Sequence, residues 1–273
     1  MVIDTDCGID DALALLYLAG RPRDCEPAAV TTVFGNAPVA AVVANVGHVL
    51  GLAGLADVPV AVGADGPVDP AGHHGSDGLG DLVADKTPPH TVVDEDAARF
   101  LAGLARDRPG HYDLLALGPL TNVARALDLE PDLLTLFRSV VVMGGSADDT
   151  NVRRDPEAAR RVLTAPRTRL VLVGVDVTST VVVGDDAVRR LRAAGTARAE
   201  FAAALVERYI DAYEGRWGRR VAPVHDALAA ALLLRPDWIT TARTESPPGT
   251  VVALKLDGEA FVADLLGALV VDF

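Results

Sequence analysis

Hydrophobic positions along this chain come in two alternating kinds. Short β-branched runs without polar interruption give way to Ala/Leu-rich stretches of helical period, and the exchange repeats. MVIDT is strand-like and DDALALLYLAG helical; AAVTTVF is strand-like and PVAAVVANVGHVLGLAG helical. VPVAVG follows, then a loop over about 64–90. AARFLAGLARD predicts a helix, YDLLALG a strand, PLTNVARAL a helix and SVVVMGG a strand. DPEAARRVL opens a helix with Asp155 as N-cap and Pro156 at the first position. RLVLVGVDV is another strand; beyond about residue 183 the pattern is mainly helical, with VVALKL as a late strand. Continuous apolar strands are buried on both faces. With helices between them they predict an α/β fold, a mostly parallel open sheet flanked by helices. No linker or break in composition divides the chain, so residues 1–273 read as one domain.

Ligands of such sheets bind beyond the carboxyl ends of the strands. The strand-end segments here are DTDCGIDD, FGN, LGPLTN and MGGSADDTN, all rich in Asp, Asn and Gly. Asp4, Asp6, Asp10 and Asp11 fall within one short stretch. Carboxylates that close cannot all stay ionised without compensation. A helix N-terminus favours Asp10 or Asp11 by roughly 0.3–1 kcal/mol each, which makes either a plain cap, but Asp4 and Asp6 lie before the helix. Several oxygen ligands on one loop suit a hard cation, Ca²⁺ or Mg²⁺. No His/Cys cluster with zinc-ligand spacing is present. Far downstream, His225 and Asp226 precede the apolar helix ALAAALLL, and Asp226 alone reads equally as an N-cap.

A net charge of −13 argues against a general nucleic-acid binder and suits carboxylates that hold a cation. Two cysteines, Cys7 and Cys25, imply no disulfide framework. With no signal-peptide pattern and no apolar run long enough to span a bilayer, the expectation is a cytoplasmic protein without membrane partners.

DTDCGIDDALALL closely resembles the aspartate signature of the inosine-uridine preferring nucleoside hydrolases, usually written DTDPGxDDxxAL. TTVFGN, HHGSDGLG, LALGPLTNVARAL, VVVMGGS, NVRRDPEAA and HDALAA agree in order and approximate spacing, over most of the chain to about residue 235. The resemblance implies a Rossmann-like nucleoside hydrolase fold, a small-molecule ribonucleoside substrate, a role in purine or pyrimidine salvage, and a homodimer or homotetramer. It implies one Ca²⁺ held by Asp6, Asp11, the Leu117 carbonyl and Asp226, together with a water and two ribose hydroxyls. Asp6 would be the general base and His225 a proton donor near the leaving base. Asp10 and Asn36 would bond ribose hydroxyls, Asn151 and Asp149 the far side of the sugar, and His74 and Met143 would lie close to sugar and base.

The chain departs from that pattern in places. Cys7 replaces the usual proline. The segment after MGG is short: one asparagine is missing and Asp149 fills a glutamate position. Arg153 and Arg154 stand where the family is commonly apolar or aromatic, and read as solvated charges or as partners for an anionic substituent. The C-terminal region is compact. Tyr209, Tyr213 and Trp217, spaced i, i+4 and i+8, read equally as a core-packing helix face or as a surface for stacking a base. Two other functions stay open: a Mg²⁺-dependent phosphohydrolase with Asp4-Thr5-Asp6 as its DxD motif, and a non-catalytic riboside- or calcium-binding relative.

Overall fold

The apolar runs form the strands read from them. In the computed structural model, which describes residues 1–68, 72–86, 89, 91–243 and 248–271, the chain begins with β1 (Val2–Thr5), α1 (Ile9–Ala19), β2 (Ala29–Thr32), α2 (Val39–Leu52), β3 (Val60–Ala61) and β4 (Val92–Val93). It continues through α3 (Ala97–Asp107), β5 (Asp113–Ala116), α4 (Thr121–Leu129), α5 (Leu133–Leu136), β6 (Ser139–Met143), α6 (Thr150–Arg154), α7 (Pro156–Thr164), β7 (Leu170–Val173) and α8 (Val175–Thr178). The remaining elements are β8 (Val182–Gly184), α9 (Asp185–Arg192), α10 (Ala197–Trp217), β9 (Val221–Pro223), α11 (His225–Leu234), β10 (Ile239–Arg243), β11 (Thr250–Leu256) and α12 (Gly258–Leu269). The loop expected over 64–90 lies partly outside the described residues.

Among the described residues, nine strands form one sheet in the order β10-β11-β7-β6-β5-β1-β2-β3-β4. All pairings are parallel except β10 with β11. Side chains alternate between the faces. Ile3, Val30, Leu115, Val141 and Val171 join the core that contains α1, α2 and α9–α12. Val2, Ala29, Leu114, Val140 and Leu170 join the one that contains α3–α5 and α7. Every residue of α1 is buried, because α1 packs between the sheet and α2, α10, α11 and α12. Full burial of each such Leu or Ile is worth about 1.5–3 kcal/mol.

From β1 the chain steps outward to β2, β3 and β4, whereas β5 returns on the other side of β1. That reversal places a crevice beyond the carboxyl ends of β1 and β5. The two strands are in register with Asp4 opposite Ala116, and the Leu117 N–H donates to the Asp4 carbonyl at 2.8 Å. The polar ends of both strands therefore come to one level.

The predicted cap of α7 is present: Asp155 accepts the Ala158 N–H at 2.9 Å, with Pro156 in the first turn. Proline disfavours helical geometry in the residue before it, so Asp155 (φ −145°) breaks NVRRDPEAA into α6 and α7. Hydropathy did not disclose β4, β8, β9 or β10. These are strands of two to five residues at sheet edges or in a separate two-stranded pair, and they lack the long apolar run that marks a central strand. No helix among the described residues is long and apolar enough to cross a membrane.

Candidate active site

Beyond β1 the chain turns sharply into α1. Cys7 is buried at φ +27°, a left-handed conformation closed to proline. Hydrogen bonds hold this turn: the Cys7 N–H donates to Thr5 Oγ1 at 3.0 Å, and Asn45 Nδ2 donates to the Cys7 carbonyl at 3.0 Å. Asp11, in the first turn of α1, is fully buried. It accepts from Thr5 Oγ1 at 2.5 Å, the Gly8 N–H at 2.9 Å and Asn36 Nδ2 at 3.2 Å. A Cβ on Gly8 would overlap Asn36 and come within 2.5 Å of His74 Nδ1, so only glycine lets the loops approach this closely.

Asp10, Asp11 and Asp226 each bring a carboxylate oxygen within 4.8 Å of the others, and all three are buried. Asp226 arrives from the first turn of α11, which packs against α1. Burial, and then the Asp11 charge, raises the Asp10 carboxyl to about 7. Burial raises Asp226 well above the usual range, reinforced by Asp10 and Asp11. Oxygen ligands about 2.3–2.6 Å from one hard cation would stand at such mutual separations. A divalent cation would also remove the mutual repulsion, so this donor set fits Ca²⁺ or Mg²⁺ and not zinc.

Asp6, at the end of β1, is 1% exposed and differently partnered. Its Oδ2 accepts the Asn36 N–H at 2.8 Å and Arg154 Nη1 at 2.8 Å. Burial raises its carboxyl well above the usual range; Asp11 adds to this, and Arg154 and the Asn36 N–H oppose it. Arg154 Nη2 also donates to Asn36 Oδ1 at 3.2 Å. The side chain of Arg154 is 9% exposed, which corrects its reading as a solvated charge; Arg153 is exposed.

Asn151 binds the strand ends together, donating to the Leu117 carbonyl at 2.5 Å and the Met143 carbonyl at 3.2 Å. Asp149 is buried, and its two oxygens accept the backbone N–H groups of Ser146 (2.6 Å) and Val175 (3.0 Å). His74 accepts the Ile9 N–H at Nδ1 (3.0 Å), and burial lowers it to about 3, so it is neutral. Burial likewise lowers His225 to about 4. Its Nδ1 lies 2.6 Å from the Thr178 hydroxyl.

These groups surround a cavity of about 360 Å³, the size of a small-ligand site. Asp6, Asp10, Asn36, His74, Leu117, Met143, Asn151, His225 and Asp226 line it. Of the residues expected from sequence, Asp11 and Asp149 are buried and do not line it. Sequence reasoning missed Thr178, and nothing local marks that residue as the partner of His225. Tyr209, Tyr213 and Trp217 also line the cavity, with successive ring centroids 5.0 and 4.9 Å apart. The face packs into the core and also borders the cavity, Tyr209 being 2% exposed. Asp4 stands behind Asp6, fully buried, accepting from Thr31 Oγ1 at 2.6 Å and Asn122 Nδ2 at 2.8 Å. It does not line the cavity, so the DxD phosphohydrolase reading loses its nucleophile.

A model of the inosine-uridine preferring nucleoside hydrolases matches residues 1–263. The chain is 32% identical over 287 aligned residues to the inosine-uridine preferring nucleoside hydrolase of Crithidia fasciculata, covering all of this chain and 87% of that one. It is 33% identical over 255 residues to the probable uridine nucleosidase 1 of Oryza sativa subsp. japonica, covering 88% and 78% of the two. Among solved structures, the purine-preferring ribonucleoside hydrolase from Gardnerella vaginalis superimposes with a TM-score of 0.91 at 24% identity, over 98% of this chain and 97% of that one. At that identity the likeness speaks for the fold.

Proposed function

The chain belongs to the inosine-uridine preferring nucleoside hydrolase family, and from that membership and the geometry of the pocket we propose that it hydrolyses the N-glycosidic bond of ribonucleosides with a calcium ion held on the pocket floor. The observation that carries this reading is the buried group Asp10, Asp11 and Asp226 beside Asp6, at the point where the strand order reverses. Calcium bound there supplies a charge that orders a water and a vicinal diol and makes that water more acidic.

The protein's own residues do the rest. Asp6 is the general base. Its Oδ2 is held by Asn36 and Arg154, which leaves Oδ1 to take a proton, a role typically worth about 10²–10⁴-fold in rate. Asn36 and Asp10 bond ribose hydroxyls, favouring ribosides over deoxyribosides. The acidic wall stabilises positive charge developing on the sugar. Neutral His225, with Thr178 donating to Nδ1, presents Nε2–H to the leaving base as a hydrogen-bond donor. Tyr213 and Trp217 stack on the base. The Leu117 carbonyl, with Asp6, Asp11 and Asp226, would supply oxygen donors to the cation, and Asn151 completes the sugar wall, with Met143 and His74 flanking sugar and base and Asp149 holding the adjoining loop. A cytoplasmic homodimer or homotetramer taking part in salvage accompanies this reading.

The test is a panel of purine and pyrimidine ribonucleosides, following free base and ribose with calcium present and after chelation. Hydrolysis that is lost on chelation and restored by calcium supports the proposal. No hydrolysis of any member by calcium-loaded protein overturns it in favour of a binding relative.

A further inference from the structure

Above its acidic floor the cavity changes character. Thr150, Asn151, Arg153 and Arg154 of α6 line it there, and Arg216 joins them from α10. Among the described residues, Asp148 is the one carboxylate in the lining apart from Asp6, Asp10 and Asp226, and it is exposed. The acid expected on the far side of the sugar is withdrawn from the cavity. Asp149 is buried, and the backbone N–H groups of Ser146 and Val175 occupy both its oxygens. The Arg153 guanidinium is held in place by donating to the Asp148 carbonyl and to Thr150 Oγ1 at 3.2 Å, which leaves further N–H donors of its fork. Arg216 stands three residues beyond Tyr213 on α10. Burial lowers His225, and the Arg216 charge acts in the same direction, so that guanidinium lies within electrostatic reach of the ring. Arg154, on Asp6 and Asn36, adds its charge where wall meets floor.

A riboside whose 2′,3′-diol rests on the floor turns its other two substituents toward the rim. The base at C1′ and the C5′ carbon at C4′ flank the ring oxygen, on the edge away from the diol. With the base at His225, Tyr213 and Trp217, the C5′ substituent meets the wall of Thr150 and Arg153. A hydroxyl there finds no buried carboxylate to accept its proton. A phosphoryl group finds guanidinium forks, which match its oxygens in charge and geometry. We propose that the pocket prefers nucleoside 5′-monophosphates to the parent nucleosides, with Arg153 as the main phosphate contact and Arg216 adding charge across the rim. This rests on the hydrolase reading of the same pocket. Water adds to C1′ as the C1′–N bond breaks, and the base leaves with that electron pair and gains a proton. The products are free base and ribose 5-phosphate, and the phosphoester stays intact.

The test compares each ribonucleoside with its 5′-monophosphate and its 5′-deoxy analogue on calcium-loaded protein, following free base and sugar product. For at least one base, kcat/KM for the monophosphate is expected to exceed that for the nucleoside by about tenfold or more, with ribose 5-phosphate as product. R153Q should cut this ratio by about tenfold and R216Q by at least about threefold. R189Q, at an exposed arginine of α9 paired with Asp186, should leave the ratio unchanged. The proposal fails if the nucleosides are the better substrates, or if the 5′-deoxy analogues exceed both, which would assign the wall an apolar substituent. It fails too if R153Q moves the ratio no more than R189Q does. Calorimetry with ribose 5-phosphate and with ribose reads the same preference without turnover. Equal binding of the two overturns the proposal, whereas a failure of the hydrolase reading appears separately, as absence of base release from every compound.

Discussion

Buried titrating groups set the pH behaviour of the metal-free protein, Asp4 and Asp10 among them. Burial raises Asp4 to about 6, and burial with the Asp11 charge raises Asp10 to about 7. Both lie above the unfolded value of 3.8, so between about pH 4 and 7 these two carboxyls bind more protons in the folded state than in the unfolded chain. The contribution of these carboxyls to stability therefore falls as pH rises through that interval; Asp6 and Asp226, raised in the same direction, add to it, whereas His74 and His225, held neutral by burial, act in the opposite sense below their unfolded value of 6.5. Calorimetric melting of metal-free protein is expected to give a higher Tm at pH 5 than at pH 8. Protons and cations compete for Asp10, so calcium affinity should rise as pH increases through about 7, and calcium should flatten or reverse the slope of Tm against pH. Asp6→Asn is expected to reduce kcat by about 10²–10⁴-fold while leaving the melting curve nearly intact. A steady-state assay with the best ribonucleoside of the panel checks it.

At the scale of elements, the turn from β1 into α1 was the most legible part of the site. Four aspartates in a strand-to-helix loop state their chemistry locally, and the structure brings Asp10 and Asp11 to the floor on the first turn of α1. The asparagine of LGPLTN was legible only as a polar strand end. The fold gives Asn122 a structural task, donating to Asp4 Oδ1 and the Thr32 carbonyl at 2.8 Å each and accepting the Ala64 N–H at 2.9 Å. It thus ties β1, β2 and the segment after β3. Asn122→Ala leaves buried partners unsatisfied and is expected to cost at least about 1–3 kcal/mol in urea unfolding. Leu16→Ala in the fully buried α1 should cost about 2–5 kcal/mol by the same measurement, through transfer and cavity terms together.

For the whole molecule, a cation held by the acidic group would join α1 to α11 across most of the chain, from Asp10 to Asp226. Calcium at about 100 times its dissociation constant should add about 2.7 kcal/mol to stability at neutral pH, raising Tm by several degrees, and chelation should reverse it. The same distance marks the limit of what could be read before folding. Composition and apolar runs determined the parallel sheet and its buried central strands, because burial on both faces leaves a continuous hydrophobic signature. The aspartate loop pointed to a cation as the compensating charge, because clustered carboxylates repel in any fold. Only the tertiary structure decided which carboxylates come within reach of one another. Asp226 approaches Asp10 and Asp11 through helix packing, and Arg154 reaches Asp6 from 148 residues away. Neither contact leaves a trace in local sequence, since hydropathy and spacing report how a segment is buried and not which distant side chain it meets.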